Sequence, residues 1–220
     1  MTSDPWQDVL QALNGISLLS HEAASELQAL ATCRRVKKGE HLLRAGDLAR
    51  HVVFVRRGLV REYYLDGRGQ EATRRFCVQG DFSGSLADLI SRRPAAVSIE
   101  CLEAGEIVEV EWSRVDALSD LHPSLMKLLR RFAEGLYVRK TQREHEMLTM
   151  PAARRYRSFV EQAPDLEARL PRLMVASYLG ITPVHLSRIC SAERRGRPGA
   201  TPRGRTRTGP SPAVLRSPAA

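Results

Sequence analysis

Two small residues spaced four apart, Ala176 and Gly180, restrict what this chain can fold into more than any other pair. They sit within residues 175–189, where Val175, Leu179, Ile181, Leu186 and Ile189 supply one apolar side. Ala176 lets one helix approach another closely, and Gly180 supplies the sharp turn that ends it. Thr182 can cap a second helix through its hydroxyl, and Pro183 suits the first helical position because it has no amide hydrogen to lose. The expectation is two short helices joined by a tight turn, the layout of a helix-turn-helix, whose second helix enters the DNA major groove.

At 220 residues the chain fits one large or two small domains and can bury a core without disulfides or metal. It has no run of about 18 apolar residues, so no membrane span is expected. The opening residues lack the basic and apolar regions of a secretory signal. The cysteines at 33, 77, 101 and 190 form no Cys-x-x-Cys pair. Cys77 and Cys101 lie in strand-like runs and read as buried small hydrophobes, with a redox-sensing thiol as the alternative. This usage suits a reducing cytoplasm. The formal charge is +9, but residues 191–220 hold seven arginines against one glutamate, leaving +3 for the other 190 residues. The basic balance therefore belongs mostly to the tail and is not independent evidence that the folded part binds DNA.

Residues 5–30 read as two helices, with Trp6, Val9, Leu10 and Leu13 on one face, a break at Gly15, and Ser20 capping a helix that buries Ala23, Ala24, Leu27 and Leu30. From 32 to 112 glycine punctuates short apolar or alternating runs at 41–43, 52–55, 59–64, 72–78, 97–101 and 107–110, the texture of a compact antiparallel barrel or sandwich. Asp66 to Gly69 suits a hairpin turn. Residues 113–149 return to helix, which Pro123 can open, with Leu125, Leu128, Leu129, Phe132 and Leu136 in a stripe at helical spacing. About 26 residues of helix would span roughly 39 Å, more than a small barrel needs, so in combination with the DNA motif the stripe is read as pairing with a second copy, with burial against its own domain as the alternative. Pro151 opens a further helix carrying Tyr156, Phe159 and Val160. The segment from Ser191, rich in Arg, Pro and Gly, cannot offset its ordering entropy and is expected to be disordered.

This order of helices, glycine-punctuated β-roll, long helix and helix-turn-helix resembles the cyclic-AMP receptor / Fnr family of bacterial transcription regulators over about residues 16–189. The resemblance is carried by Gly39-Glu40, Ala45-Gly46-Asp47, Phe54-Val55 with residues 57–61, Gly69-Gln70-Glu71, residues 80–85, and Leu179 to Thr182 with Leu186-Ser187-Arg188. It implies an α+β chain: a cyclic-nucleotide-binding-like β-roll with N-terminal helices over 1–121, a dimerisation helix over 122–149, a helix-turn-helix over 150–190 without the usual wing, and a disordered tail over 191–220. It also implies a homodimer on near-palindromic double-stranded DNA, RNA polymerase as a further partner, no membrane association, and a cytoplasmic location.

In cyclic-nucleotide-binding members a Gly-Glu pair and a later arginine hold the ribose and the phosphate. The corresponding pocket here is Gly84, Ser85, Leu86 and Arg93. Ser85 replaces the glutamate, and a short uncharged hydroxyl is a poor ribose acceptor. Pro94 replaces the hydroxyl residue after the arginine, and Arg92 competes with Arg93 for its role. The effector is thus a cyclic nucleotide, another small anion, or none. Fnr-type iron–sulfur sensing needs a cysteine cluster, which this sequence lacks.

On the second helix the resemblance makes Thr182, Val184, His185, Ser187 and Arg188 the DNA-facing residues. Arg188 could take guanine O6 and N7 together, Ser187 a phosphate or base edge, His185 a phosphate. Val184 stands where a glutamate is usual; it cannot accept from cytosine N4 and could only touch a thymine methyl. After Ile189 the recognition helix can run to about Arg195 but has no further apolar anchor, and the change to Arg/Pro/Gly composition reads as a tail foreign to the fold. No nucleophile elbow, phosphate loop, dinucleotide fingerprint or clustered histidines point to an enzyme. The reading is a dimeric regulator with a sensing β-roll. The alternative is a ligand-binding or dimerising module that does not bind DNA specifically.

Overall fold

A computed structural model of the chain describes residues 4–195, and the greater part of the expected tail, residues 196–220, lies outside them. The chain divides near residue 139 into two compact units. The first begins with helices α1 (Pro5–Asn14) and α2 (His21–Leu30). Asp4 caps α1 by accepting from the Trp6 N–H at 3.0 Å, and Ser20 caps α2 by accepting from Ala23 at 3.3 Å. Trp6, Val9 and Leu13 turn one face of α1 inward, and Ala23, Ala24 and Leu27 do so in α2.

The β-roll follows as β1 (Thr32–Val36), β2 (His41–Leu43), β3 (His51–Arg57), β4 (Leu59–Leu65), β5 (Glu71–Val78), β6 (Phe82–Ser83), the short helix α3 (Leu86–Ser91), β7 (Val97–Cys101) and β8 (Gly105–Glu111). Two four-stranded sheets, ordered β1-β8-β3-β6 and β2-β7-β4-β5, are antiparallel throughout. Their inner faces bury Val36, Val53, Val55, Val60, Cys77, Val97, Ile99, Cys101 and Ile107 together. Cys77 and Cys101 are fully buried, as their apolar surroundings predict. Strand β1 is not among the apolar runs of the sequence, because it pairs only with β8 and most of its residues face water. At the β4–β5 hairpin the Asp66 carboxylate accepts from the N–H groups of Arg68 and Gln70 at 2.8 Å each, which fixes the turn expected there.

Helices α4 (Trp112–Leu121) and α5 (Pro123–Thr149) follow. The second core of this unit lies between α1, α2, α4 and the first turns of α5, and includes Trp6, Leu27, Phe54, Val108, Leu118, Leu125 and Leu128. Arg56, itself 4% exposed, donates to Asp8 of α1 at 2.8 Å and to Glu106 of β8 at 2.5 Å, tying the N-terminal helix to the sheet.

The second unit comprises the last turns of α5, then α6 (Ala152–Gln162), α7 (Leu166–Arg169), α8 (Arg172–Leu179) and α9 (Pro183–Arg195). Its interior is built from Tyr156, Phe159, Leu166, Leu170, Val175, Ala176, Leu179, Leu186, Ile189 and Cys190. The helix α9 continues through Ser191–Arg195, the first five residues of the segment expected to be tail. Cys190 is buried on its inner side and supplies an anchor after Ile189, which corrects the expectation that none exists.

Candidate nucleic-acid interface and β-roll cavity

Helices α8 and α9 meet at 94° across Gly180, Ile181 and Thr182. Gly180 is left-handed (φ +65°); its N–H donates to Ser177 O at 3.1 Å, and the Ile181 N–H donates to Ala176 O at 3.0 Å. These two bonds form the Schellman closure that ends a helix and turns the chain. Ala176 is fully buried where the two helices meet, as its small size predicts. Thr182 accepts from the His185 N–H at 3.2 Å and so caps α9, while Pro183 fills the first helical position.

The fold around this turn sorts the side chains of α9. Leu186, Ile189 and Cys190 point inward. Thr182, Val184, His185, Ser187 and Arg188 are all exposed. Val184 is 63% exposed although apolar, one turn before Arg188 on the same line of the helix. Ser191 spends its hydroxyl on the Ser187 carbonyl at 2.9 Å.

In the first unit, Gly84 and Leu86 line a cavity of about 40 Å³ together with Val52, Glu62, Arg74, Arg75 and Ser83. Ser85 and Arg93 do not line it. The Ser85 hydroxyl donates to Asp88 at 2.5 Å instead, and Arg93 is exposed on the loop after α3. The charged groups of the cavity come from β4 and β5. Glu62 is 2% exposed. Its Oε1 accepts from Ser83 Oγ at 2.8 Å and from the Gly84 N–H at 3.5 Å, and lies 3.5 Å from Arg75 Nη2. Its Oε2 lies 3.5 Å from Arg74 Nη1. Consecutive residues of a regular strand point to opposite faces, yet Arg74 and Arg75 both reach Glu62. The cause is a register shift: Glu62 pairs with Arg75 and Tyr63 with Thr73, so Arg74 is the extra residue of a β-bulge. Gly84 is held at φ +152°, with the His51 carbonyl 3.4 Å from where a Cβ would sit.

Burial pushes the Cys77 thiol up to about 12, against the pull of the neighbouring Arg75 guanidinium. The thiol stays protonated at neutral pH, which disfavours the redox-sensing alternative for this cysteine. Burial also raises the Asp81 carboxyl, with Arg75 opposing it.

Glu62, Arg74 and Arg75 were not singled out in the sequence. Two signals stood there: an acidic residue inside the apolar 59–64 run, and a doubled arginine that breaks the alternation of 72–78.

For two residues of the stripe read as a dimer contact, Leu125 and Leu128, the structure gives a different setting, while Leu129, Phe132 and Leu136 stay partly exposed. Leu125 and Leu128 are buried in the core of their own unit, with Leu129 packed against it. Phe132 stands edge-on to Phe82 with ring centroids 5.7 Å apart, and with Leu136 it closes the cavity. The apolar residues of this stretch that face outward are Met126, Ala133, Tyr137 and Val138.

Among the described residues no three His, Cys, Asp or Glu side chains gather as metal ligands. Cys33 is exposed, and Cys77, Cys101 and Cys190 are separately buried, so these cysteines do not fit an iron–sulfur cluster. No single described helix is long and apolar enough to cross a membrane.

Residues 33–122 match the cyclic nucleotide-binding domain family. The fumarate nitrate reduction regulatory protein of Klebsiella oxytoca is 23% identical over 184 residues, 79% of this chain and 73% of that protein. The transcriptional activator protein anr of Pseudomonas aeruginosa is 27% identical over 169 residues, 71% of this chain and 68% of that one. Among solved structures, FixK2 from Bradyrhizobium japonicum shares the fold with a TM-score of 0.64 at 21% identity, covering 77% of this chain and 89% of its own. The c-di-GMP-responsive global regulator CLP of Xanthomonas campestris gives 0.64 at 18% identity, covering 80% and 93%. The chain is similar over most of its length to transcription regulators of the cyclic-AMP receptor / Fnr family.

Proposed function

We propose that this chain is a dimeric, sequence-specific DNA-binding transcription regulator of the Crp/Fnr type, acting in the cytoplasm, with α8 and α9 as its helix-turn-helix. One observation carries the reading: α9 buries Leu186, Ile189 and Cys190 while exposing Val184, His185, Ser187 and Arg188 on its other side, with its cap Thr182 also exposed. A polar outward face is common to surface helices; here it follows a tight turn and a capped N-terminus, the arrangement that presents a helix to a major groove. Arg188 reads guanine through O6 and N7, Val184 meets a thymine methyl, and Ser187 and His185 serve base edges or phosphates. Arg194 and Arg195 in the last turn add phosphate contacts.

The dimer forms through the outward side of α5. At about 100° per residue, Met126, Ala133 and Tyr137 fall within roughly 40° of one line, away from the side that packs on the β-roll. Tyr137 is 71% and Met126 52% exposed, more apolar surface than a helix facing only water carries. Two copies would present two recognition helices to grooves one turn apart. RNA polymerase is the further partner of such a regulator.

Selection of duplexes from a randomised pool tests the function. The expected result is enrichment of a two-fold symmetric site bound at least about 10³ times more tightly than random duplex. Binding without enrichment, lost steeply as salt rises, would instead favour a module that holds DNA by charge alone.

A further inference from the structure

We infer that the β-roll cavity is an anion site whose occupant is the chain's own Glu62 carboxylate, which closes the roll to a cyclic nucleotide phosphate or any other external anion. The inference goes beyond the DNA reading and does not depend on it.

An anion site needs positive charge, a hydroxyl or backbone donor, and shelter from water. All three converge on Glu62: two guanidinium groups at 3.5 Å, Ser83 Oγ at 2.8 Å and the Gly84 N–H at 3.5 Å. Cys77 Sγ adds a weak contact at 3.6 Å. Arg75 is the cross-strand partner of Glu62, Arg74 is brought in by the β5 bulge, and the other donors come from β6 and the Gly84 turn. A lone structural ion pair would draw one arginine into a close two-point contact, at about 2.7–2.9 Å. Here both arginines lie 3.5 Å from the carboxylate: Arg75 also donates to the Phe82 carbonyl and to Cys77 Sγ, and Arg74 is 38% exposed.

Size points the same way. A cavity of about 40 Å³ has room for a water or two, whereas sites for small organic ligands run to roughly 300–1,000 Å³. Phe132 and Leu136 add apolar walls to that small space. The residues that line the cavity therefore do not fit a cyclic nucleotide, and Glu62 supplies the charge that an effector phosphate would bring.

Titration of the full chain with sodium sulfate, followed by thermal unfolding and calorimetry against sodium chloride at equal ionic strength, tests this. Sulfate strengthens burial generally, so the wild-type protein serves as the reference for that effect. The wild type should give no saturable response to sulfate or to cyclic AMP. Glu62→Ala, with the donors left in place, should gain saturable sulfate binding in the low millimolar range, and Arg74→Gln added to it should abolish the gain. If Glu62→Ala does not fold in chloride, recovery of its circular dichroism in sulfate would be the same result. Saturable binding of sulfate or cyclic AMP by the wild type would overturn the inference. So would a Glu62→Ala protein that shows neither sulfate binding nor recovery.

Discussion

Arg155 donates twice to the carbonyl oxygen of Leu179, through Nε at 3.2 Å and Nη2 at 2.9 Å, and once through Nη1 to the Met150 carbonyl at 2.6 Å. The last carbonyls of a helix have no partner within it and carry partial negative charge. A guanidinium from α6 therefore holds the end of α8 at the point where the chain turns into α9. Arg143 does the same for the Tyr178 carbonyl and stacks on the Tyr178 ring at 4.2 Å. Because hydrogen bonds to charged groups are worth about 1.5–3 kcal/mol, Arg155→Met should cost that much in urea unfolding of the second unit. It should also weaken DNA binding, although Arg155 touches no DNA in this account. An unchanged unfolding midpoint would show that the clamp contributes nothing.

Gly180→Ala should destabilise the same unit by at least about 1–2 kcal/mol, the cost of a left-handed backbone for a residue with a Cβ. A Cβ there would also meet Met147 Cε at 2.5 Å. Adding Met147→Ala should relieve the clash and leave the backbone cost. Full recovery in the double variant would mean that the turn does not require glycine.

The recognition face yields two separable losses. Arg188→Ala should cost about 1–3 kcal/mol on the selected duplex and relax the requirement for guanine at one position. Arg194→Ala should weaken binding to all duplexes alike and lower the salt slope by about one. If Val184 meets a thymine methyl as proposed, replacing the selected thymine with uracil should reduce wild-type binding but leave Val184→Ala unaffected. Competition electrophoresis measures all of these, and an identical effect of Arg188→Ala on specific and random duplex would contradict the assignment.

The two sides of α5 can be told apart by mutation. Leu128→Ala opens a cavity in the core of the first unit and should cost about 2–5 kcal/mol of its stability. Tyr137→Glu puts charge on the outward side and should give a folded monomer in sedimentation velocity. A Tyr137→Glu protein that sediments as a dimer would move the interface elsewhere.

Acid stability follows from Glu40. The Lys37 N–H at 2.9 Å, then the Arg34 guanidinium at 2.5 Å, hold its carboxyl below the usual carboxylate range. A folded-state value below the unfolded one contributes stability above the unfolded value, and that contribution is lost as pH falls through the folded one. Asp81 has the opposite sign: burial raises it, so its contribution is present below the unfolded value and lost as pH rises through the folded one. Glu40→Gln should flatten the acid limb of a plot of unfolding midpoint against pH, and Asp81→Asn the limb above it. Parallel curves for wild type and variants would refute both.

Much of this was legible in the sequence because local rules and tertiary structure agree. Ser20 and Thr182 cap the helices that their positions predict, Gly180 adopts the left-handed turn, and the apolar runs of 41–110 became strands of the roll. What escaped depends on pairing and on partners. A 3.6-residue period in Leu125, Leu128, Leu129, Phe132 and Leu136 reveals a buried side but not what covers it, and here the chain's own β-roll does. The outward Met126, Ala133 and Tyr137 are diluted by Lys127, Arg130 and Glu134 and form no obvious stripe. The pairing of Arg74 and Arg75 with Glu62 rests on a bulge, which shifts a strand by one residue and cannot be read from alternation alone. Cys190 was passed over as an anchor because a lone cysteine after Ile189 does not mark an apolar face.

The spacing of the selected site is the most direct test of a dimer that reads DNA through Arg188 and its neighbours on α9. Half-sites one helical turn apart should bind two chains together. Inserting five base pairs between them, which rotates one half-site by about half a turn, should reduce affinity to that of a single half-site. Equal affinity for the natural and the lengthened duplex, with one chain bound to each, would contradict it.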